Sequence, residues 1–276
     1  MSDPMIVSAH YTHGSLLDAI RAGVTKLGKT PESITVDDLA AVDEFHIGGR
    51  QASADFLGQL NLSANDHVLD IGCGLGGPAR FVTSQYRCRV TGIDLTQEYV
   101  ETGTVLCKWV GLGDRVALQQ GSALSIPFPN DHFTGAYMLH VGMNIADKTG
   151  LCAEVYRVLR PGAAFGIYDV MRLGDGDLIY PVPWATTAET SFVASAEQYK
   201  QALQAAGFTI VAERNRHEFA LAFFEQLRAK TSAAGGPPPL GLHILMGASA
   251  PTKVQNMIAN VAAGRLAPVE LIARRG

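Results

Sequence analysis

The sequence predicts an α/β protein built on a doubly wound, seven-stranded sheet, with an N-terminal helical cap and a helical insertion before the last strand. Three observations carry this. Short apolar runs alternate with amphipathic stretches from about residue 66 to 215. Val68-Leu69-Asp70-Ile71-Gly72-Cys73-Gly74-Leu75-Gly76-Gly77 passes from strand through a glycine-rich turn into helix. Residues 1–60 read as helix without strands, which sets them apart as the cap.

In the cap, Ser15 is placed to start a helix whose Leu16, Leu17, Ile20, Val24 and Leu27 share one face. Thr35 is placed to cap a second helix, with Asp37 and Asp38 in its first turn favoured by the helix dipole. A third covers Arg50 to Leu60. The unit from residue 61 onward carries candidate strands at His67–Ile71, Arg89–Leu95, Arg115–Gln120, Phe133–Leu139, Ala163–Val170 and Phe208–Arg214. Several are continuous apolar runs, as a sheet covered on both faces requires, so a parallel sheet is expected. Helices are expected from Pro78, from Thr96 to near Gly111, from Asp147 to Arg160-Pro161-Gly162, and from Ala196 to Ala206. An insertion at about 217–264 reads as a substrate lid. It has helices at His217–Lys230 and Lys253–Ala263 around a stiff Gly235-Gly236-Pro237-Pro238-Pro239-Leu240-Gly241 loop. Pro268–Ala273 reads as the last strand.

Composition excludes some functions. Hydrophobic residues are 47% and charged residues 17%, with 22 Lys+Arg against 26 Asp+Glu and a net charge of -4. That argues against a broadly basic nucleic-acid surface. No run of 18 apolar residues suggests a membrane span, and the first residues lack a signal-peptide pattern. Cys73, Cys88, Cys107 and Cys152 show no metal-ligand spacing and read as free buried thiols of a cytoplasmic protein, with no metal site. A homodimer is left open.

The glycine turn fits two cofactor classes. Gly72, Gly74 and Gly77 also satisfy the dinucleotide pattern GxGxxG, so an NAD(P)-dependent oxidoreductase is the alternative enzyme class. Asp70 separates the two. A carboxylate at that strand end would face a pyrophosphate at short range, whereas a cationic ligand prefers it. S-adenosylmethionine carries a sulfonium and an ammonium and no phosphate. Asp94 ends the second strand, where a carboxylate can accept both ribose hydroxyls, with Leu95 against the adenine. Gly23-Val24-Thr25-Lys26-Leu27-Gly28-Lys29-Thr30 fits the phosphate-loop pattern, but it lies in an amphipathic helix rather than after a strand, so phosphate binding is not expected.

The set Val68–Gly77, Gly92-Ile93-Asp94-Leu95, Ser122-Ala123 before Ile126-Pro127-Phe128, and Val158-Leu159-Arg160-Pro161-Gly162 resembles the class I S-adenosylmethionine-dependent methyltransferases. That resemblance implies a Rossmann-like fold and places Ser122 on the adenine amino group. The family commonly has Asp there, so Ser122 would accept without charge. Asp43-Glu44-Phe45-His46-Ile47-Gly48-Gly49-Arg50 and His140-Val141-Gly142-Met143-Asn144 resemble the small-molecule branch containing sarcosine/dimethylglycine N-methyltransferases, which itself resembles quinone C- and natural-product O-methyltransferases. The resemblance implies that the N-terminal helices close over the cofactor and that Arg50 pairs with its carboxylate, unless Arg50 forms an ion pair with Asp43 or Glu44. Together these readings put Phe45, Arg50, Asp70, Gly72, Cys73, Gly74, Asp94, Leu95, Ser122, Ala123, Leu139 and His140 on the cofactor.

Methyl transfer needs alignment, exclusion of water and management of one proton. His140, following the fourth strand, is the candidate general base or substrate contact. Met143, Tyr168, Met171, Trp184, His243 and Met246 are the candidate acceptor residues, since aromatic faces and sulfur tolerate a sulfonium. The acceptor expected is a small molecule, first an amine, with O- or C-methylation of a quinone-like or natural-product scaffold as the alternative. An amino-acid acceptor would need a carboxylate clamp, for which only Arg172 or Arg214 offers itself.

Overall fold

The computed structural model describes residues 4–234 and 238–276, so Gly235, Gly236 and Pro237 of the expected stiff loop lie outside the described residues. In chain order the elements are α1 (Pro4–Tyr11), α2 (Leu16–Lys26), α3 (Val36–Asp43), α4 (Gly49–Leu57), β1 (His67–Ile71), α5 (Gly77–Tyr86), β2 (Arg89–Asp94), α6 (Gln97–Trp109), β3 (Val116–Gln120) and β4 (Phe133–Leu139). They continue with α7 (Lys148–Val158), β5 (Leu159–Arg172), α8 (Ala196–Ala205), β6 (Phe208–Asn215), α9 (His217–Ala234), α10 (His243–Met246), α11 (Ala250–Ala262) and β7 (Leu266–Arg275). None of the described helices is long and apolar enough to cross a membrane. All four cysteines are free and buried.

The strands form one sheet of seven in the order β3-β2-β1-β4-β5-β7-β6. Strand order reverses between β1 and β4, which opens a crevice at the carboxyl ends of both. Apolar runs are buried on both faces. Leu69, Ile71, Met138 and Phe165 pack under α7 and α8, and Val68, Tyr137 and Tyr168 pack with Phe56, Leu57 and Val82 of α4 and α5.

The sheet is mixed rather than parallel, which corrects the sequence expectation. β7 runs antiparallel to both β5 and β6. The cause lies in the insertion: β6 ends at Asn215, and α9, α10 and α11 keep the chain at that end of the sheet. β7 therefore starts beside the carboxyl ends, with Leu266 opposite Arg172 and Val269 opposite Asn215, and must run back.

The cap and the insertion share one apolar cluster. Leu16, Ile20, Val24, Leu39 and Val42 of the cap meet Leu240 and Leu245 of the insertion, together with Leu75 after the glycine turn. Gly23 allows a close approach there: a Cβ would lie 2.6 Å from the Pro239 carbonyl oxygen. Thr35 caps α3 in a reciprocal capping box with Asp38. Ser15 occupies the N-cap position of α2, but its side chain makes no capping bond. The Glu98 carboxylate of α6 accepts the Leu16 N–H at 3.0 Å and the His13 N–H instead, so a long-range acid does the capping.

A buried ion pair holds the cap to the sheet. Arg80 of α5 is fully buried, donates to the Asp43 carboxylate at the end of α3, and donates to the Leu75 carbonyl at 2.7 Å. Removing one member strands the other charge in an apolar interior. Arg80→Met should therefore lower unfolding free energy by about 3–5 kcal/mol in urea titrations, and Asp43→Asn added to it should restore a large part. A loss below about 1 kcal/mol would mean the pair is solvated.

Candidate functional site

The site grows from the turn between β1 and α5. Gly72 has φ +67, and a Cβ there would lie 2.4 Å from the Val141 side chain, so only glycine lets the β4 loop close over the turn. Behind the turn, Asp94 at the end of β2 accepts the Gly74 N–H at 2.9 Å on one oxygen and the Thr96 N–H at 2.8 Å on the other. These bonds fix the carboxylate and leave each oxygen a lone pair for a further donor. Burial raises the Asp94 pKa, against the opposing pull of the two N–H donors.

Asp70, in β1, is 2% exposed and receives one protein donor among the described residues, the Tyr137 hydroxyl at 3.2 Å. Burial pushes its carboxyl up to about 8, with the charge of Asp94 adding to the effect. Asp43 lies across the cavity from the cap side, pushed up to about 6 by burial despite its pairing with Arg80.

His140 follows β4 with φ +55, an uncommon backbone conformation for a residue with a side chain. Its N–H donates to the Tyr168 carbonyl at 2.7 Å. Its Nε2 is buried without a hydrogen-bond partner among the described residues. Burial, and His46 nearby, hold its basicity well below the usual histidine range, so the ring is neutral. The His46 ring lies 5.9 Å away and is pushed down to about 4 by burial. The Ser53 hydroxyl donates to Glu44 at 2.6 Å, and the His46 Nε2 lies 3.1 Å from the Gly49 carbonyl. That carbonyl can only accept, so Nε2 carries the proton and Nδ1 is bare.

A single cavity gathers these groups. Its walls come from Pro4, Val7 and Tyr11 of α1, from Asp43, Phe45 and His46, and from the glycine turn with Leu75 and Pro78. They continue through Ile93, Asp94, Leu95, Thr96 and Tyr99, then Gly121, Ser122, Ala123 and Leu124, then Leu139, His140, Val141, Asn144 and Ile145, with Leu245 from the insertion. The charged groups among them are Asp43, Asp70 and Asp94, and no Lys or Arg is on this wall.

Of the residues placed on the cofactor from sequence, the structure brings Phe45, Asp70, Gly72, Cys73, Gly74, Asp94, Leu95, Ser122, Ala123, Leu139 and His140 to this cavity. Ser122 Oγ accepts the Leu124 N–H at 3.2 Å, which ties it into a local turn. Arg50 is not on the wall. It pairs with Glu44 at 3.0 Å, donates to the Val36 carbonyl, and lies over the Phe81 ring, because a buried acid on its own helix approach is nearer than the cavity.

None of the six candidate acceptor residues lines this cavity, although the Tyr168 ring lies 5.1 Å from the His140 ring behind the wall. Tyr168 and Met171 are fully buried within β5, which continues to Arg172 because β7 pairs with it, and the Tyr168 hydroxyl donates to the Ile47 carbonyl. Met143 and Trp184 belong to a separate core under α9 and α11, with the indole N–H on Ser191. In α10, Leu245 faces the cavity, while His243 and Met246 do not. Sequence reasoning missed Tyr11, His46, Tyr99 and Asn144. His46 stood inside the Asp43–Arg50 run and Asn144 inside the His140–Asn144 run; Tyr99 falls one turn into the helix after Asp94. Nothing marked Tyr11.

Comparison with known proteins adds a second line of observation. Residues 69–167 match the model of a methyltransferase domain. The sterol 24-C-methyltransferase of Eremothecium gossypii is 33% identical over 111 residues, covering 40% of this chain and 30% of that protein. The chain thus spans under a third of the length of that relative. An O-methyltransferase of Pyrenophora dematioidea is 26% identical over 210 residues, covering 74% of this chain and 76% of that protein. Among solved structures, geranyl diphosphate C-methyltransferase from Streptomyces coelicolor, bound to S-adenosyl-L-homocysteine, superposes with TM-score 0.71 at 18% identity, covering 99% of this chain and 98% of that one. A putative sarcosine dimethylglycine methyltransferase from Galdieria sulphuraria superposes with TM-score 0.66 at 18% identity, covering 94% of this chain and 98% of that one. These two likenesses establish the fold.

The raised pKa of Asp70 has a stability consequence. Its carboxyl ionises near 3.8 when unfolded and about 8 when folded, so its stabilising contribution is complete at low pH and fades as pH rises through about 8. Asp70→Asn cannot ionise. Melting temperatures of the ligand-free variant and the parent should agree near pH 4, and the variant should be several degrees higher near pH 9. Parallel curves would mean Asp70 is not desolvated.

Proposed function

We propose that this chain, whose residues 69–167 match a methyltransferase domain, is an S-adenosylmethionine-dependent methyltransferase that methylates a small, mostly apolar molecule on a hydroxyl oxygen. One observation carries the reading: the cavity over the glycine turn is charged by carboxylates alone. A dinucleotide needs cations or open N–H groups against its phosphates; this wall has no Lys or Arg, and the Asp94 carboxylate would repel it. A nucleoside bearing positive charge is attracted.

The residues fit that donor. Asp94 has lone pairs left for the ribose hydroxyls, and the φ +52 backbone of Gly74 leaves that side of the turn open. Leu95, Ala123 and Tyr99 supply apolar walls for the adenine, and Asp70 offers charge to the cationic end. When bound, the donor supplies an electrophilic methyl group that needs no metal and no covalent enzyme intermediate. The cap and Leu245 close the cavity against water, which strengthens every electrostatic contact within it. His140 accepts the proton that the acceptor hydroxyl gives up. Its Nε2 has no hydrogen-bond partner among the described residues, and the ring is neutral. Proton arrival on His140 coincides with the loss of the donor's positive charge, so the net charge of the cavity is unchanged and a weakly basic imidazole suffices.

The acceptor reading follows from the same wall. Phe45, Leu139, Val141, Ile145 and Leu245 make it apolar. An amino-acid acceptor needs a carboxylate clamp, and both candidates are committed outside the cavity. Arg172 donates to the Gly176 carbonyl, and Arg214 grips Glu270 at 2.8 and 2.9 Å. The O-methyltransferase relative also aligns over most of both chains, whereas the sterol methyltransferase aligns over 40% of this chain and 30% of its own.

Calorimetry should show S-adenosylmethionine binding and no heat from NADH. Asp94→Ala should weaken donor affinity by about 10- to 100-fold, the scale of lost charged hydrogen bonds. With a panel of phenolic and alcoholic acceptors, His140→Ala should lower turnover by about 100-fold or more while donor affinity stays within about threefold. Binding of NADH in place of the methyl donor would reverse the assignment, and unchanged turnover would remove His140 from the proton path.

A further inference from the structure

Asp70 and Asp94 are held differently, and the difference points to a residue deeper in the sheet. Asp94 is clamped by two main-chain N–H groups. Asp70 has no such clamp. The register of β1 on β4 places it directly opposite Tyr137, and the Tyr137 hydroxyl is its one protein donor among the described residues, at 3.2 Å on Oδ2. Tyr137 is completely buried. A phenol sealed inside a sheet core must spend its donor somewhere, and the packing offers it this carboxylate.

We propose that Tyr137 is a positioning residue for the methyl donor: its hydroxyl sets the orientation and the charge state of Asp70, and through Asp70 the affinity for a cationic nucleoside. The inference rests on the donor assigned above. A hydroxyl that donates to the carboxylate favours the ionised form, and the surroundings otherwise oppose ionisation. Asp94 of β2 and Glu44 of the cap add like charge, and burial adds the largest penalty. Arg80 of α5 pulls the other way from a greater remove, and the Cys73 thiol, its own pKa raised by burial, stays neutral in the turn. Tyr137 is thus the nearest group on the side of the charge. Tyr137 is not itself among the residues lining the cavity and reaches it through Asp70.

The sign of the pH effect follows. A cation binds ionised Asp70, so donor affinity rises with pH through the carboxyl's titration. Loss of the Tyr137 donor moves that titration upward.

The test is donor affinity by calorimetry from about pH 6 to 9 for the parent, Tyr137→Phe, Asp70→Asn and the double variant. Tyr137→Phe should bind S-adenosylmethionine about tenfold more weakly near pH 7, with the midpoint of the pH dependence displaced to higher pH and the gap narrowing in alkali. In the Asp70→Asn background the same substitution should cost less than about twofold, because no carboxyl charge is left for the hydroxyl to favour. Placing 4-aminophenylalanine at position 137 keeps a para N–H donor and should restore affinity and midpoint; it serves as the decisive variant if Tyr137→Phe does not fold. An unmoved midpoint, or an equal loss in both backgrounds, overturns the proposal and leaves Tyr137 as packing. A parent protein that fails to bind the donor at all overturns the functional reading instead.

Discussion

The structure is organised by the burial of carboxylates at the ends of β1 and β2. Taking a carboxylate out of water is costly unless a partner replaces the lost solvation. Asp94 is partly compensated by two backbone donors, Asp43 by Arg80, and Asp70 by one phenol. One phenol does not make up the loss at Asp70, whose carboxyl burial pushes up to about 8. A cation arriving in the cavity supplies the missing partner. On the proposed function, stability given up in the empty fold is returned as affinity when a positively charged nucleoside binds.

The rest of the fold serves that arrangement. Parallel pairing of β1 with β2 and β4 brings Asp70 and Asp94 to one edge, and the strand-order reversal opens the crevice above them. The Asp43–Arg80 pair ties the cap to the helix that leaves the glycine turn. Glu98, four residues beyond Asp94, caps α2, so the helix that follows Asp94 also holds the cover in place. The antiparallel β7 lengthens β5 and anchors the insertion that contributes Leu245.

Much of this was legible in the sequence because it depends on local rules. The strand cores fell where apolar runs lie between glycine and helix signals, and the turn with Asp70 and the strand end with Asp94 are contiguous motifs. What was not legible depends on long-range partners. The direction of β7 is set by where the insertion leaves the chain. Tyr168 and Met171 look like strand-end residues until β7 extends β5 past them. Arg50 looked available until its distance from Glu44 was known. Leu245 rather than Met246 faces the cavity because a single helical turn points one residue inward, and no periodicity can be read from so short a helix. The Tyr137–Asp70 bond is a cross-strand pairing, which no single segment encodes.

The central claim is that the donor's positive charge ionises a carboxyl that the empty protein keeps protonated. Difference infrared spectroscopy near pH 7, on adding S-adenosylmethionine to the ligand-free protein, reads this directly. The account predicts loss of one protonated-carboxyl band and growth of carboxylate bands, with both changes missing in Asp70→Asn. Saturating donor binding with no change in the carboxyl region would contradict it.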